Sequence, residues 1–369
     1  MVEWKKLSDV AVIKNGKDYK KLSNGTIPVY GTGGIMTYVD QFASDKPSVL
    51  LPRKGSVENI FYVDKPFWTV DTLYWTDIDT SRIDPKFLFM SLQRYNLKEY
   101  AYGGARPSLS QSILYNLDIP LPSLSEQQRI VEQLDTFTSS IENLKEQIAQ
   151  RRKQYEYYRD QLYYPNKGAV LKASEDGKVE VKTLDEIGTF TRGRRFVRTD
   201  IVPEGVPCIH YGDMYTYYGI SADTTPTHLT KEIAAKLRFA KKGDVVIVAA
   251  GENDIDIGVG VAWLGNEDVV VHDACFIYKH DMNPKYISHY LRSGNYHQQI
   301  RMGVVDGKIC SISAKELGRT LIPIPPLSEQ QRIVSILDTF EASIRNLEQQ
   351  LAQREKQYEY YRNKLLTFQ

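Results

Sequence analysis

The strongest constraint on this chain is an internal repeat. Leu124-Ser125-Glu126-Gln127-Gln128-Arg129-Ile130-Val131 returns as Leu327-Ser328-Glu329-Gln330-Gln331-Arg332-Ile333-Val334, a shift of 203 residues. Across 124–162 and 327–365, 28 of 39 positions are identical, which chance does not produce, so two copies of one element organise the chain. Upstream, Ile119-Pro120-Leu121-Pro122 corresponds to Ile322-Pro323-Ile324-Pro325, and Val2 to Leu7 resembles Val179 to Leu184 at a shift of 177. The chain therefore reads as variable, constant, variable, constant, with segments 1–123, 124–163, 164–326 and 327–369.

Each constant block predicts a long helix. Proline upstream stops any earlier element, Ser125 and Ser328 stand as caps, and Gln128 and Gln331 occupy the capping-box position. Apolar residues then recur at spacings of four and three: Ile130, Leu134, Phe137, Ile141, Leu144, Ile148, Arg151, Tyr155, Tyr158, Leu162. The second block repeats this as Ile333, Leu337, Phe340, Ile344, Leu347, Leu351, Arg354, Tyr358, Tyr361, Leu365. That is the seam of a coiled coil. A rod of roughly 57 Å results at about 1.5 Å per residue. Antiparallel pairing is expected, because a whole domain intervenes between the helices, and it relates the two repeats by a pseudo-two-fold axis with the variable domains at opposite ends. Arg151 and Arg354 interrupt the seam, either snorkelling or fixing register. Tyr157 and Tyr360 lie off it; together with Tyr158 and Tyr361 they either cover the rod or form an aromatic patch for a partner.

The variable segments are long enough for independent domains and read as strand-rich with short helices, giving an α+β protein of two mixed α/β domains joined by two long antiparallel helices. Strands are expected around Val49–Leu51, Asn59–Val63 and Asp71–Trp75, and around Asp244–Ala249, Val259–Leu264 and Val269–Val271; helices are expected from Pro85 and Pro284.

Charge balance argues against any strongly basic class. Lys+Arg 47 against Asp+Glu 46 leaves a net charge of +1, so nucleic-acid contact must come from local clusters. Thr191-Arg192-Gly193-Arg194-Arg195-Phe196-Val197-Arg198 is one such cluster, suited to phosphate contacts and guanine readout by Arg192, Arg194, Arg195 and Arg198, or else a solvated loop. Its counterpart, Lys14-Asn15-Gly16-Lys17-Asp18-Tyr19-Lys20-Lys21, offers Lys14, Lys17 and Lys20. Glycine-bearing loops add Tyr30, Arg53, Lys54, Arg106, Ser108, Tyr211 and Lys308 as further candidate contacts, although such turns are more often only turns. Cys208, Cys275 and Cys310 are odd in number and widely spaced, excluding a thiolate zinc pattern and fitting a reducing cytoplasm. No apolar run approaches a membrane span.

The repeated octapeptide, set in this architecture, closely resembles the specificity subunit of type I restriction-modification systems. The resemblance covers the helical repeats in wording and the variable domains in arrangement. It implies that each variable domain is a target-recognition domain reading one half of a bipartite, asymmetric double-stranded DNA site. The helices would set the gap and bind two modification subunits, which carry S-adenosylmethionine and methylate adenine, while restriction subunits supply ATP- and magnesium-dependent translocation and cleavage. A non-catalytic chain without a cofactor of its own is expected. No Asn/Asp-Pro-Pro-Tyr/Phe motif or phosphate-binding GxxxxGK loop occurs. Asp176 with Glu180 and Lys182 reads as a chance nuclease-like triplet, and His272-Asp273 lacks metal-ligand spacing. The competing reading is a coiled-coil scaffold with two protein-binding domains.

Overall fold

A computed structural model describes residues 2–164, 179–305 and 307–368; Asp176 and Asp306 lie outside them. The chain divides into two compact units, Met1–Lys145 with Gln349–Gln369, and Glu146–Glu348.

The same plan is built twice. In the first unit a four-stranded sheet runs in the order Ala11–Asn15, Leu73–Ile78, Ser48–Pro52, Phe61–Val63. In the second, Gly188–Arg192, Cys275–His280, Val245–Val248 and Gly260–Trp263 take the same places, and Ser221–Ala222 adds a fifth strand. The central strands, Ser48–Pro52 and Val245–Val248, are buried at every residue, as expected for apolar runs covered on both faces. A second sheet in each unit contains one parallel pair, which sets Tyr30 opposite Thr69 and Ile209 opposite Val271. Short helices Pro85–Leu92 and Pro284–Tyr290 begin as the sequence predicts. Asp84 accepts from the backbone N–H of Lys86 and Phe87, and Asn283 from Lys285 and Tyr286, with proline at the first helical position.

Each unit closes on itself before its long helix starts. Glu3–Lys6 pairs antiparallel with Asp118–Leu121, and Glu180–Thr183 with Leu321–Ile324. The long helices, Leu124–Tyr163 and Leu327–Leu366, have 40 residues each. Their caps differ from expectation. The helices start ahead of Ser125 and Ser328, so Ser123 receives the N–H of Glu126 at 3.4 Å, and the Pro326 carbonyl receives those of Glu329 and Gln330 at 2.9 and 3.0 Å. Gln128 and Gln331 close no capping box. The adjacent glutamines carry the load instead. Buried Gln127 accepts from the Asp84 N–H at 2.7 Å and donates to the Pro122 carbonyl at 2.9 Å; buried Gln330 does the same with Asn283 at 2.9 Å and Pro325 at 2.8 Å. Lys86–Asp135, at 2.7 Å, and Lys285–Asp338 add an ion pair beside each clamp.

Within each unit, segments of both helices meet with residue numbers running in opposite senses. In the first, Phe137 stacks on Tyr361 (centroids 5.2 Å) and Lys145 pairs with Glu355 at 3.3 Å. In the second, Phe340 stacks on Tyr158 (5.4 Å) and Arg152 pairs with Glu348 at 2.6 Å. These are equivalent contacts at the 203-residue shift. Arg354 lies over Phe137 at 5.7 Å and Arg151 over Phe340 at 5.9 Å, so each seam arginine covers an aromatic ring. Tyr158 and Tyr361 meet the other helix through their ring stacks yet are only half-covered, at 47% and 41% exposed, whereas Arg159 is 8% exposed. A straight helix drifts by about 20° per heptad, and after four heptads the inward face has passed to the next residue. Tyr157 and Tyr360 are 60% and 59% exposed.

Candidate nucleic-acid interface

Backbone hydrogen bonds gather the basic loops of the first unit. After the strand Ala11–Asn15, the Gly16 N–H donates to the Leu73 carbonyl (3.1 Å) and the Lys17 N–H to that of Thr69 (2.8 Å). Trp68 Nε1 donates back to the Lys17 carbonyl at 2.9 Å. Arg53 and Lys54 both donate through their backbone to Thr72, Gly55 to Pro107, and Leu109 to Arg53. Lys54 bridges to Ser108, and Tyr102 pairs with Ser108. Lys17, Tyr30, Arg53, Lys54, Arg106 and Ser108 are thereby brought to one edge of the sheets. Lys14, Lys17, Lys20, Lys54 and Arg106 are exposed there, while Tyr30, Arg53 and Ser108 are half-buried. A cleft of about 800 Å³ lies beside them, lined by Tyr19, Lys20, Thr32 and Met36 among others.

The second unit repeats the crossing with different side chains. Gly193 N–H donates to the Cys275 carbonyl (2.9 Å) and Arg194 N–H to that of Val271 (3.1 Å). Both crossings need glycine because the chain runs against a carbonyl: a Cβ would lie 2.0 Å from the Val70 oxygen at Gly16 and 2.2 Å from the His272 oxygen at Gly193. Two of the four arginines are partly committed to the scaffold. Arg192 Nε donates to the Asp273 carbonyl at 2.7 Å, and Arg194 to that of Lys236 at 2.8 Å. Arg195 and Arg198 remain exposed on the same segment. Beneath it, Phe196, His210, Tyr211 and His272 form a ring cluster, with His210 and His272 centroids 4.9 Å apart. Tyr211 is thus half-buried as a wall of this cluster. Lys308 is exposed on the loop before Cys310–Ser311, which pairs with Ala250–Gly251.

Burial lowers the pKa of both clustered histidines; nearby Asp213 and Asp273 raise them in part, and Arg198 and Arg195 oppose charging further. Burial likewise depresses His289 and His297, and takes His280 down to about 4. All six histidines lie between 210 and 297, within the second unit. A neutral form favoured by folding contributes stability that is full above about pH 6.5 and is lost as pH falls toward the folded value. Lowering pH from 7 to 5 should cost the second unit about 1–2 kcal/mol after allowance for partial exposure. Hydrogen exchange, corrected for intrinsic rates, should show Val245–Val248 losing protection while Ser48–Pro52 changes less; equal losses would refute this.

Among the described residues no group of three or more His, Cys, Asp and Glu side chains is placed to hold a metal ion, and no helix is long and apolar enough to cross a membrane. The arrangement suits polyanion contact by exposed cations around a hydrogen-bonded frame, with polar and aromatic groups for base edges. Two like-built sheet units, each carrying such a face and each clamped to long helices, define a paired recognition protein. A family model described as the type I restriction modification DNA specificity domain matches residues 1–151 and 176–356. The chain belongs to that family. A type I restriction enzyme specificity subunit from Haemophilus influenzae is 29% identical over 400 residues, covering 100% of this chain and 96% of the relative. The EcoR124I/EcoR124II specificity subunit from Escherichia coli is 28% identical over 405 residues, covering 100% and 94%. The crystal structure of the S subunit from M. genitalium shares the fold at a TM-score of 0.62 and 17% identity, covering 100% of this chain and 97% of that one.

Proposed function

We propose that this chain is the DNA sequence-recognition subunit of a type I restriction-modification complex. Each unit reads one half of a bipartite, asymmetric double-stranded site. The observation that carries this reading is the duplicated crossing at Gly16 and Gly193: one frame, built twice, presents Asn15 and Lys17 in one copy and Arg192 and Arg194 in the other. Equal frames with unequal side chains are what two different half-sites require. Lys14, Lys17, Lys20, Lys54, Arg106, Arg195, Arg198 and Lys308 are assigned to phosphate and base contacts, and Tyr30, Arg53, Ser108, Arg192, Arg194 and Tyr211 to shaping and reading at closer range.

The long helices pair as an antiparallel coiled coil that sets the gap between half-sites. Their exposed Tyr157, Tyr158, Tyr360 and Tyr361, flanked by Arg151 and Arg354, supply docking surface for two modification subunits. The chain itself is non-catalytic: S-adenosylmethionine belongs to the modification subunits, and ATP and magnesium to restriction subunits. Binding is expected to be sequence-specific yet salt-sensitive, because phosphate contacts position the domains and base contacts specify. Exchanging residues 1–123 for the matching segment of a differently specific relative should change one half of the methylated motif and leave the other intact. Methylome sequencing that returned an unchanged motif would overturn the reading.

A further inference from the structure

Among the described residues, two arginines have a buried Nε without a hydrogen-bond partner, Arg362 in the first unit and Arg292 in the second. Each lines a cleft against the long-helix segment of its own unit, of about 270 Å³ and 610 Å³ respectively. Buried donors are ordinarily satisfied, so an orphan on a cleft-lining side chain points to an acceptor supplied from outside; the Nη2 of Arg292 is already held by the Gly219 and Gly260 carbonyls, at 2.7 and 3.4 Å. The second cleft is the richer. Arg159, the repeat counterpart of Arg362, joins Arg292 there and packs its guanidinium over Tyr155 at 5.3 Å, as Arg362 does over Tyr358 at 5.6 Å. The Arg301 side chain is exposed and, among the described residues, makes no hydrogen bond or ion pair; its backbone N–H caps the helix Gly294–Ile300 by donating to the His297 carbonyl. His297, held neutral by burial and by the two neighbouring arginines, completes the lining. Glu156 and Asp254 also line the cleft, but neither pairs with these arginines among the described residues; Arg159 Nε instead meets Asp160 at 3.3 Å.

A chain path links the cleft to the segment that carries Lys308. From Arg301 the chain runs to Val305, which pairs with Ser311; Cys310–Ser311 pairs with Ala250–Gly251, and the chain beyond Gly251 supplies the opposite wall at Asp254. Lys308 sits on the loop that closes this ladder. Ile255, 78% exposed, lines the cleft and offers apolar contact to sugar faces. A planar guanidinium fork matches a phosphate's oxygens, and it does so irrespective of base.

We propose that the cleft formed by Arg159, Arg292 and Arg301 seats a DNA backbone phosphate, as a sequence-independent anchor apart from the base-reading loops. This rests on the DNA-recognition reading. It is tested on the complete methyltransferase complex carrying Arg301→Gln or Arg159→Gln, titrated with cognate and scrambled duplexes across a salt series. Arg301 is exposed, so that variant does not endanger folding. Each variant should bind both duplexes about ten-fold more weakly, with the slope of log affinity against log salt reduced by about one and the methylated motif unchanged. Unaltered affinity and slope would overturn the proposal. So would a complex that no longer retains its modification subunits, which would give the cleft to a partner's carboxylate. Lack of any preference for the cognate duplex in the unsubstituted complex would remove the recognition reading itself, and the anchor with it.

Discussion

Replacing Gly193 with alanine should destabilise the second unit by about 1–3 kcal/mol or more, the range for forcing extra atoms into a packed site. The added methyl would lie 2.2 Å from the His272 oxygen and 2.4 Å from that of Val271. Both are backbone atoms, and the same stretch is fixed by Arg194 N–H to Val271 and His272 N–H to Ile209. Relief must therefore come from breaking a strand pairing. Urea unfolding measures the loss, and binding should fall selectively on the half-site read by this unit. Gly219, with nothing within 4 Å of an added Cβ, is the control in the same unit, and Gly219→Ala should be close to neutral. A stable Gly193→Ala protein with unaltered binding would contradict the crossing described above.

The second large effect is expected at Gln330. Its side chain, 2% exposed, holds the Asn283 N–H at 2.9 Å and the Pro325 carbonyl at 2.8 Å. Truncation to alanine strands both groups away from water, at about 1–3 kcal/mol for each buried group left unpaired. A total near 2–4 kcal/mol should lower the melting midpoint by roughly 2–4 °C for each kcal/mol. Gln331→Ala loses only an exposed bond to the Asn283 side chain and should be mild. Similar melting of both variants in differential scanning calorimetry would show that the clamp does not hold the helix start.

Much of the fold was legible because it rests on local pattern. The repeat, the 4-3 spacing, the Asp-Pro and Asn-Pro helix starts and the apolar runs at Val49–Leu51 and Val245–Val248 all signal through neighbours in sequence. The roles of Gln127 and Gln330 were not, since their partners lie 43 and 47 residues away. One signal was nevertheless present: extending the seam backwards by three from Ile130 lands on Gln127, not Gln128. At the interface, sequence marked the basic segments but not the glycine crossings or the Phe196, His210, Tyr211 and His272 cluster, which tertiary pairing alone assembles. Nor did it mark the hydrogen bonds of Arg192 to Asp273 and of Arg194 to Lys236, which depend on loops far along the chain.

The paired helices carry one further implication, in their few differing positions. Lys145 and Arg152 belong to the first copy, and their counterparts at the 203-residue shift are Glu348 and Glu355 in the second. Lys145 meets Glu355 and Arg152 meets Glu348. Two first copies laid together would oppose lysine to arginine, and two second copies would oppose glutamates. Each such exposed pair is worth only about 0–1 kcal/mol, yet both favour the unlike partner. What began as duplication has acquired polarity: each copy is the other's environment, so neither can drift alone, and self-association of either is penalised by the charges that distinguish them.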